Sequence, residues 1–209
     1  MVIIGVALIA AGATAMLRPL ADGGGTLTGG AMEIPASAGT SAPQPATAPT
    51  AAPMAPSTPV RIEIPVLHVS APVIRLGLST DGSVQVPPLA NHNLAGWYDR
   101  SITPGQDGSS VILGHVDSFT GISVFFYIKT LRPGNEIEVI RADGSTAIFT
   151  VDGVQKVIKA TFPTSVIYGN VSYPSLRLIT CGGPFDSTTG QYLDNIVVYA
   201  HLARARAPE

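Results

Sequence analysis

The stretch NEIEVIRADGSTAIFTV, residues 135–151, indicates the kind of fold that this chain adopts. Runs rich in β-branched and aromatic residues lie on both sides of Asp143-Gly144. Such runs favour strands, and Asp-Gly between two of them favours the tight turn of a β-hairpin. The stretch therefore predicts two antiparallel strands that are joined at Asp143-Gly144.

Similar β-rich runs continue from about residue 60 to the C-terminus. They are VRIEIPVLHVSAPVIRLGL (60–78), SSVILGHV (109–116), SLRLITC (175–181) and NIVVYAHLA (195–203), with a second Asp-Gly pair at 81–82. The 22 glycines and 18 prolines favour short strands over long helices, with a helical turn expected at the start of 121–135, before a loop. Seven or eight strands with little helix predict an all-β fold, a closed barrel or a sandwich of about 150 residues.

Composition excludes several functional classes. The chain has 209 residues, of which 45% are hydrophobic, and a net charge of −2. That charge gives no electrostatic footprint for nucleic acid or acidic lipid. A single cysteine excludes an internal disulfide and a cysteine-based metal site. The four histidines never have the close spacing of metal ligands, so we expect no metal and no cofactor.

The N-terminal quarter differs from the rest. Residues 2–17 form an uncharged apolar run, just short of the ~17–25 residues of a membrane-spanning helix. We interpret 1–18 as a transmembrane anchor or signal-like segment, with a buried helix as the alternative. Residues 19–57 are rich in Pro, Ala, Thr, Gly and Ser, which is typical of a disordered, extended spacer. Residues 58–209 form the predicted catalytic domain.

Two strand ends carry residues that are suited to catalysis. Cys181 ends SLRLITC, and His115 follows SSVIL within GHVDS (114–118). A cysteine nucleophile needs a histidine within reach, and these two residues meet if their strands share one end of the barrel. From the residues alone, a buried apolar cysteine and a core histidine are equally good interpretations.

The combination of GHVDS with LITCGGPFD, behind an anchor and a Pro-rich spacer, closely resembles a sortase of the actinobacterial class F type. The resemblance covers roughly 58–204. It implies an eight-stranded β-barrel and a membrane-anchored cysteine transpeptidase whose catalytic domain lies outside the cell. Its partners would be a C-terminal sorting signal of the Leu-Pro-x-Thr-Gly kind and an amine on the cell wall or a pilin. We expect a monomer.

The resemblance also implies residue roles. Cys181 matches the nucleophile that forms a thioester, and His115 matches the acid–base histidine. An arginine is expected where the last strand begins, but Asn195 occupies that place. Asn195 could act as a neutral oxyanion donor, or a cation could come from Arg177, our first choice, or from Arg100.

Two further residues are weaker candidates. Thr180 lies beside the substrate by family position, although local packing is the simpler interpretation. Asp117 accepts a hydrogen bond from the histidine or caps the turn.

A second interpretation is a sortase-like barrel that binds a peptide tail with little or no catalysis, which the absent arginine favours. The presence of both GHVDS and TCGG favours the enzyme. An L,D-type cell-wall transpeptidase also uses cysteine and histidine, but it requires a Ser-x-Gly-Cys context that LITCGG lacks.

Overall fold

A computed structural model describes residues 41–45 and 51–208 of the chain. Within them lie ten strands, one short α-helix and three 3-10 turns. The strands are β1 Pro59–Ile64, β2 Val69–Leu76, β3 Ala95–Tyr98, β4 Gly108–Gly114, β5 Asp117–Ser118, β6 Gly121–Ile122, β7 Glu136–Arg141, β8 Thr146–Ile158, β9 Pro174–Asp186 and β10 Gln191–Arg206. The helix is α1, Thr164–Tyr168, and the 3-10 turns are Pro65–Leu67, Ile128–Thr130 and Lys159–Thr161.

Eight strands close into a barrel in the order β1-β2-β3-β4-β9-β10-β8-β7, while β5 and β6 form a separate small hairpin. The pairs β2–β3 and β4–β9 are parallel, and the other barrel pairs are antiparallel. The predicted all-β, eight-stranded barrel is confirmed. The helical turn expected at the start of 121–135 lies farther along, as the 3-10 turn at Ile128–Thr130, because Gly121–Ile122 form β6.

The hairpin predicted at residues 135–151 is formed by β7 and β8. Gly144 has a φ of 81°, a left-handed conformation that glycine adopts without strain. Its N–H donates to the Arg141 carbonyl, and the Asp143 carboxylate accepts from the backbone N–H of Ser145. The Asp-Gly pair therefore makes the turn for which the sequence predicted it.

The barrel has a packed interior and a partly covered outer face. Alternate residues of every barrel strand point inward and form the main core, with Phe149, Leu178 and Val198 among them. Strands β4, β9 and β10 also bury apolar residues on the outer face, where Ile167 of α1 packs on them. Because successive strand residues face opposite sides, the odd-numbered residues of β9 lie on that outer face.

The chain before β1 contacts the barrel. Met54 donates its N–H to the Gly105 carbonyl at 2.8 Å, and Ala55 accepts a hydrogen bond from Arg141, which is 2% exposed. Ser57 accepts from the Asp143 backbone N–H at 3.1 Å. These residues belong to the last part of the segment assigned above to the spacer, and here they pack on the barrel.

The predicted anchor, 1–18, lies outside the described residues, as does most of the predicted spacer. In the part of the chain that the structure describes, every helix is too short to cross a lipid bilayer.

Candidate active site

The barrel topology brings Cys181 and His115 to the same end of two neighbouring strands. Strands β4 and β9 run parallel, with partners from Gly108 opposite Pro174 to Leu113 opposite Ile179. The same register, continued by two residues, places His115 level with Cys181. The parallel pairing of β4 with β9 therefore brings the two residues to one end of the barrel, as the sequence analysis required.

Both side chains lie on the outer face of the barrel and are largely buried, with 7% of Cys181 and 6% of His115 exposed. His115 lines one cavity together with Pro87 and Asn195. Cys181 lines a second cavity with Gly182, Gly183 and neighbouring side chains. Thr180 lines both, so the two cavities adjoin and together form one candidate active site.

The environment of Cys181 combines burial with charge. Burial raises the pKa of the Cys181 thiol, because a thiolate loses solvation when water is excluded. The ammonium group of Lys159 opposes that effect and lowers the thiol pKa, whereas the Asp117 carboxylate raises it slightly. The Lys159 Nζ lies 3.5 Å from the Cys181 Sγ. A thiolate here therefore has a cationic partner in direct contact.

Space beside Cys181 depends on the glycines that follow it. A Cβ atom on Gly182 would lie 2.7 Å from a side-chain carbon of Ile196. Gly183 has a φ of 75°, which side chains disfavour, and its Cα faces the carboxylate of Asp194. The two glycines thus let β9 and β10 approach closely at the end where the thiol lies.

A backbone carbonyl fixes the His115 ring. The His115 Nε2 lies 2.7 Å from the Pro87 carbonyl oxygen, in the segment between β2 and β3. A carbonyl oxygen can only accept, so Nε2 carries the proton and donates it. In the neutral ring Nδ1 is then the unprotonated nitrogen that is available for proton transfer.

Asn195 lies directly opposite Cys181 in the antiparallel pairing of β9 with β10. Opposed residues of an antiparallel pair project to the same face, so the amide and the thiol are cross-strand neighbours. Asn195 is 1% exposed, and its Oδ1 has no hydrogen-bond partner among the described residues. Oxygen and nitrogen of such an amide are interchangeable by rotation, so the group can present an N–H donor to a ligand.

Thr180 is also buried, and its hydroxyl has no hydrogen-bond partner within the residues described. Its position alternates with Cys181 along β9, which turns it toward the barrel interior. Thr180 lies between the two cavities. That place is compatible both with local packing and with contact with a substrate.

Asp117 lies in β5 and accepts a hydrogen bond from the hydroxyl of Tyr192 in β10. That contact raises the pKa of Tyr192 to about 12. The structure thus gives Asp117 a tyrosine as its partner, where the sequence suggested His115 or a turn.

The structure does not bring Arg177 or Arg100 to the thiol. Arg177 is 1% exposed, and its guanidinium stacks 4.7 Å over the ring of its cross-strand partner Tyr199. Burial lowers the pKa of Arg177. Arg177 shares the outer face with Cys181, as expected, but its charged group is directed at the tyrosine.

Arg100 is exposed in the turn after β3. Strand β3 begins with Ala95 opposite Gly114 and runs antiparallel to β4, so it ends far from His115. Arg100 therefore lies at the opposite end of the barrel from the candidate site.

Lys159 is the site residue that sequence reasoning missed. It follows β8, whose last residue Ile158 pairs with Asp194 of β10, and its side chain reaches across β10 to Cys181 on β9. The surrounding letters VIKAT contain no motif, and a lone lysine after a strand reads as a surface charge. Knowledge of the β8–β10 register was needed to find it.

A family model described as the sortase domain matches residues 62–203. No curated protein matches the chain. Among solved structures, sortase A of Listeria monocytogenes has a TM-score of 0.54 at 18% identity, over 71% of this chain and 90% of that one.

Two further solved structures share the fold. Sortase C-1 of Actinomyces oris has a TM-score of 0.52 at 22% identity, over 71% of this chain and 73% of that one. The sortase D5 transpeptidase of Clostridium perfringens has a TM-score of 0.50 at 21% identity, over 69% and 78% of the two chains.

The family match spans nearly the whole barrel and both strand ends of the candidate site. The solved structures support the same fold independently. The chain therefore belongs to the sortase family and is a cysteine transpeptidase.

Proposed function

We propose that this sortase cleaves a C-terminal sorting signal of the Leu-Pro-x-Thr-Gly kind and joins the new carboxyl end to an amine on the cell wall or a pilin. The observation that supports the proposal is the level placement of Cys181 and His115 at one end of two neighbouring parallel strands. A nucleophile and an acid–base group on the outer face of a barrel suit acyl transfer to and from an extended peptide.

The reaction proceeds in two acyl transfers. In the first, the Cys181 thiolate bonds to the carbonyl carbon of the scissile peptide, the carbon–nitrogen bond breaks, and the leaving amine takes a proton from protonated His115. A thioester remains on Cys181. In the second, the acceptor amine attacks the thioester, loses its proton to His115 and displaces the thiolate.

The contact with Pro87 sets which ring nitrogen of His115 moves the proton. Nε2 stays hydrogen-bonded to the Pro87 carbonyl, so Nδ1 gives and takes the proton during both transfers. A ring held at one nitrogen presents the other in a fixed direction. The segment between β2 and β3 thus contributes orientation without contributing a side-chain functional group.

Asn195 supplies a neutral donor to the carbonyl oxygen, on which negative charge develops during attack. It projects from β10 beside Cys181, and its buried amide oxygen has no partner in the described part of the chain. The backbone N–H groups after Cys181 are the alternative donors. A preorganised donor of this kind lowers the activation free energy of the thiolate attack only if it faces the carbonyl oxygen in the transition state.

The proposed setting is the outer face of the cell membrane, and the proposed class is the actinobacterial class F. The apolar run at 2–17 serves as the anchor, and the Pro/Ala-rich residues that follow hold the catalytic domain away from the bilayer. The enzyme acts as a monomer with no metal or cofactor.

The test uses the fragment 51–209 with a Leu-Pro-x-Thr-Gly peptide and a glycine-based amine. We expect mass spectrometry to show an acyl adduct on Cys181 and an amide product with the added amine. Cys181→Ala is the control and forms neither.

A peptide that binds this fragment and leaves no adduct at any pH would contradict the proposal. That result would favour the sortase-like peptide-binding module, since the absent arginine and the burial of the thiol both disfavour turnover.

A further inference from the structure

The thiol of Cys181 touches a cation that directly follows another strand of the barrel. Lys159 directly follows β8, which pairs with β10 along the edge opposite to the one that pairs with β9. Its side chain reaches across β10 and places Nζ 3.5 Å from the Cys181 Sγ on β9. At that distance an ammonium group donates a hydrogen bond to sulfur and interacts directly with its charge.

Other charged groups surround the thiol at larger distance or with other partners. The titratable groups on the elements packed around Cys181 are His115, Asp117, Lys129, Lys159, Tyr192 and Asp194. Lys129 lies 4.9 Å over the ring of Phe126, and Asp194 pairs with Lys156 at 3.7 Å. Within residues 41–45 and 51–208, Lys159 is the cation found in hydrogen-bond contact with the sulfur.

The strand position opposite Cys181 holds a neutral amide. Asn195 can donate to an oxygen, but it carries no charge with which to stabilise a thiolate. The nearest arginine of β9, Arg177, is stacked on Tyr199. A buried thiolate without a cation is costly, because burial removes the water that would otherwise stabilise it.

We propose that Lys159 is the cation of this active site and stabilises the thiolate form of Cys181, in place of an arginine on the strand opposite. The inference rests on the proposed function, because it assigns a residue to the same reaction. The proton of the thiol leaves to His115 or to solvent, and the ammonium group stays protonated throughout. Since Lys159 touches the reacting sulfur, it is a catalytic residue.

The pH dependence of thiol alkylation tests this assignment without a peptide substrate. Full-length protein is treated with iodoacetamide from pH 5 to 11, and alkylation of its single cysteine is followed by mass spectrometry. A cation within ~4–6 Å lowers a thiol pKa by about 1–3 units. We expect Lys159→Gln to move the midpoint upward by about 1 unit, the lower end of that range, because Lys159 is partly exposed.

Three further variants complete the experiment. Lys159→Met removes the charge in a second way and is expected to move the midpoint as Lys159→Gln does. Lys159→Arg keeps a cation and restores the midpoint toward that of the wild type. Lys156→Gln removes a lysine of β8 whose ammonium group pairs with Asp194, and it leaves the midpoint unchanged.

Midpoints of Lys159→Gln and Lys159→Met that equal the wild-type value would overturn the assignment. Circular dichroism of each variant verifies the fold. The alkylation experiment contains no peptide, so it does not test the proposed function. A failure of that function appears in the separate transfer assay, as an absence of peptide transfer at every pH. The two failures are therefore distinguishable.

Discussion

Replacement of Asn195 by alanine should separate catalysis from stability. Asn195 faces the same side as Cys181, directly across the β9–β10 pair. If its amide donates to the carbonyl oxygen during attack, its removal deletes one oxyanion donor. Loss of one such donor typically costs ~10²–10³-fold in kcat, or about 3–4 kcal/mol of activation free energy. We expect the variant to lose at least a hundredfold, the lower end of about 10²–10³.

The effect of the same change on stability should be small. The Asn195 Oδ1 is buried without a partner among the described residues. Removal of such an unsatisfied polar group stabilises the folded state by about 1–3 kcal/mol. The truncation leaves a small cavity, which at ~24 cal/mol per Å³ offsets part of that gain. The free energy of unfolding should therefore change by about 1 kcal/mol, which moves the Tm by only about 2–4 °C.

The assay is steady-state transfer of a Leu-Pro-x-Thr-Gly peptide to an amine, with thermal melting of the same samples. Thr180→Val is the matched control, because it also removes a buried oxygen next to Cys181 that has no hydrogen-bond partner in the described part of the chain. We expect it to retain most of the turnover. A normal kcat for Asn195→Ala would refute the donor role, and a large loss of Tm would show that Asn195 is structural.

Three other perturbations follow from the same geometry. A fragment that begins at Ala51 should melt several degrees above one that begins at Thr58, because the residues between them hydrogen-bond to the barrel; equal melting curves would contradict this. Arg177→Met should keep its turnover and stability near those of the wild type, since apolar replacement of a buried charge is often neutral. A hundredfold loss of turnover would instead show that Arg177 takes part in catalysis. Asp117→Asn should lower the pH midpoint for Cys181 alkylation, opposite in sign to the loss of Lys159, because the carboxylate raises the thiol pKa; an upward shift would exclude that interaction.

Local sequence patterns predicted an all-β fold of seven or eight strands, and the resemblance to sortases supplied the eight-stranded barrel and the roles of Cys181 and His115. The runs around Asp143-Gly144 predicted a hairpin because turn chemistry and β-branched residues act over short distances. Cys181 and His115 were candidates because each follows a compact apolar run, but only the motifs GHVDS and LITCGGPFD, through the family resemblance, gave them roles. The place of Asn195 was found by counting back along the last strand.

Contacts between neighbouring strands could not be predicted in the same way. Alternation along β9 placed Arg177 and Cys181 on one face, but only the register against β10 reveals that Tyr199 takes up the guanidinium. Lys159 depends on the register of β8 against β10, which no local pattern records. The contacts of residues 51–57 are largely made by backbone groups, which every sequence possesses and which therefore leave no signature.

The pairing of β4 with β9 also affects how the protein acquires activity. Gly108 and Pro174 are neighbours although more than sixty positions separate them in sequence. The barrel strands β7 and β8 lie between them in the chain, and β10 follows. Contacts this distant in sequence form late and slowly, because the chain must first lose the entropy of closing the loop. A chain with most of its hairpins formed would still hold a thiol apart from its histidine. Recovery of peptide transfer during refolding should therefore coincide with formation of the β4–β9 pair.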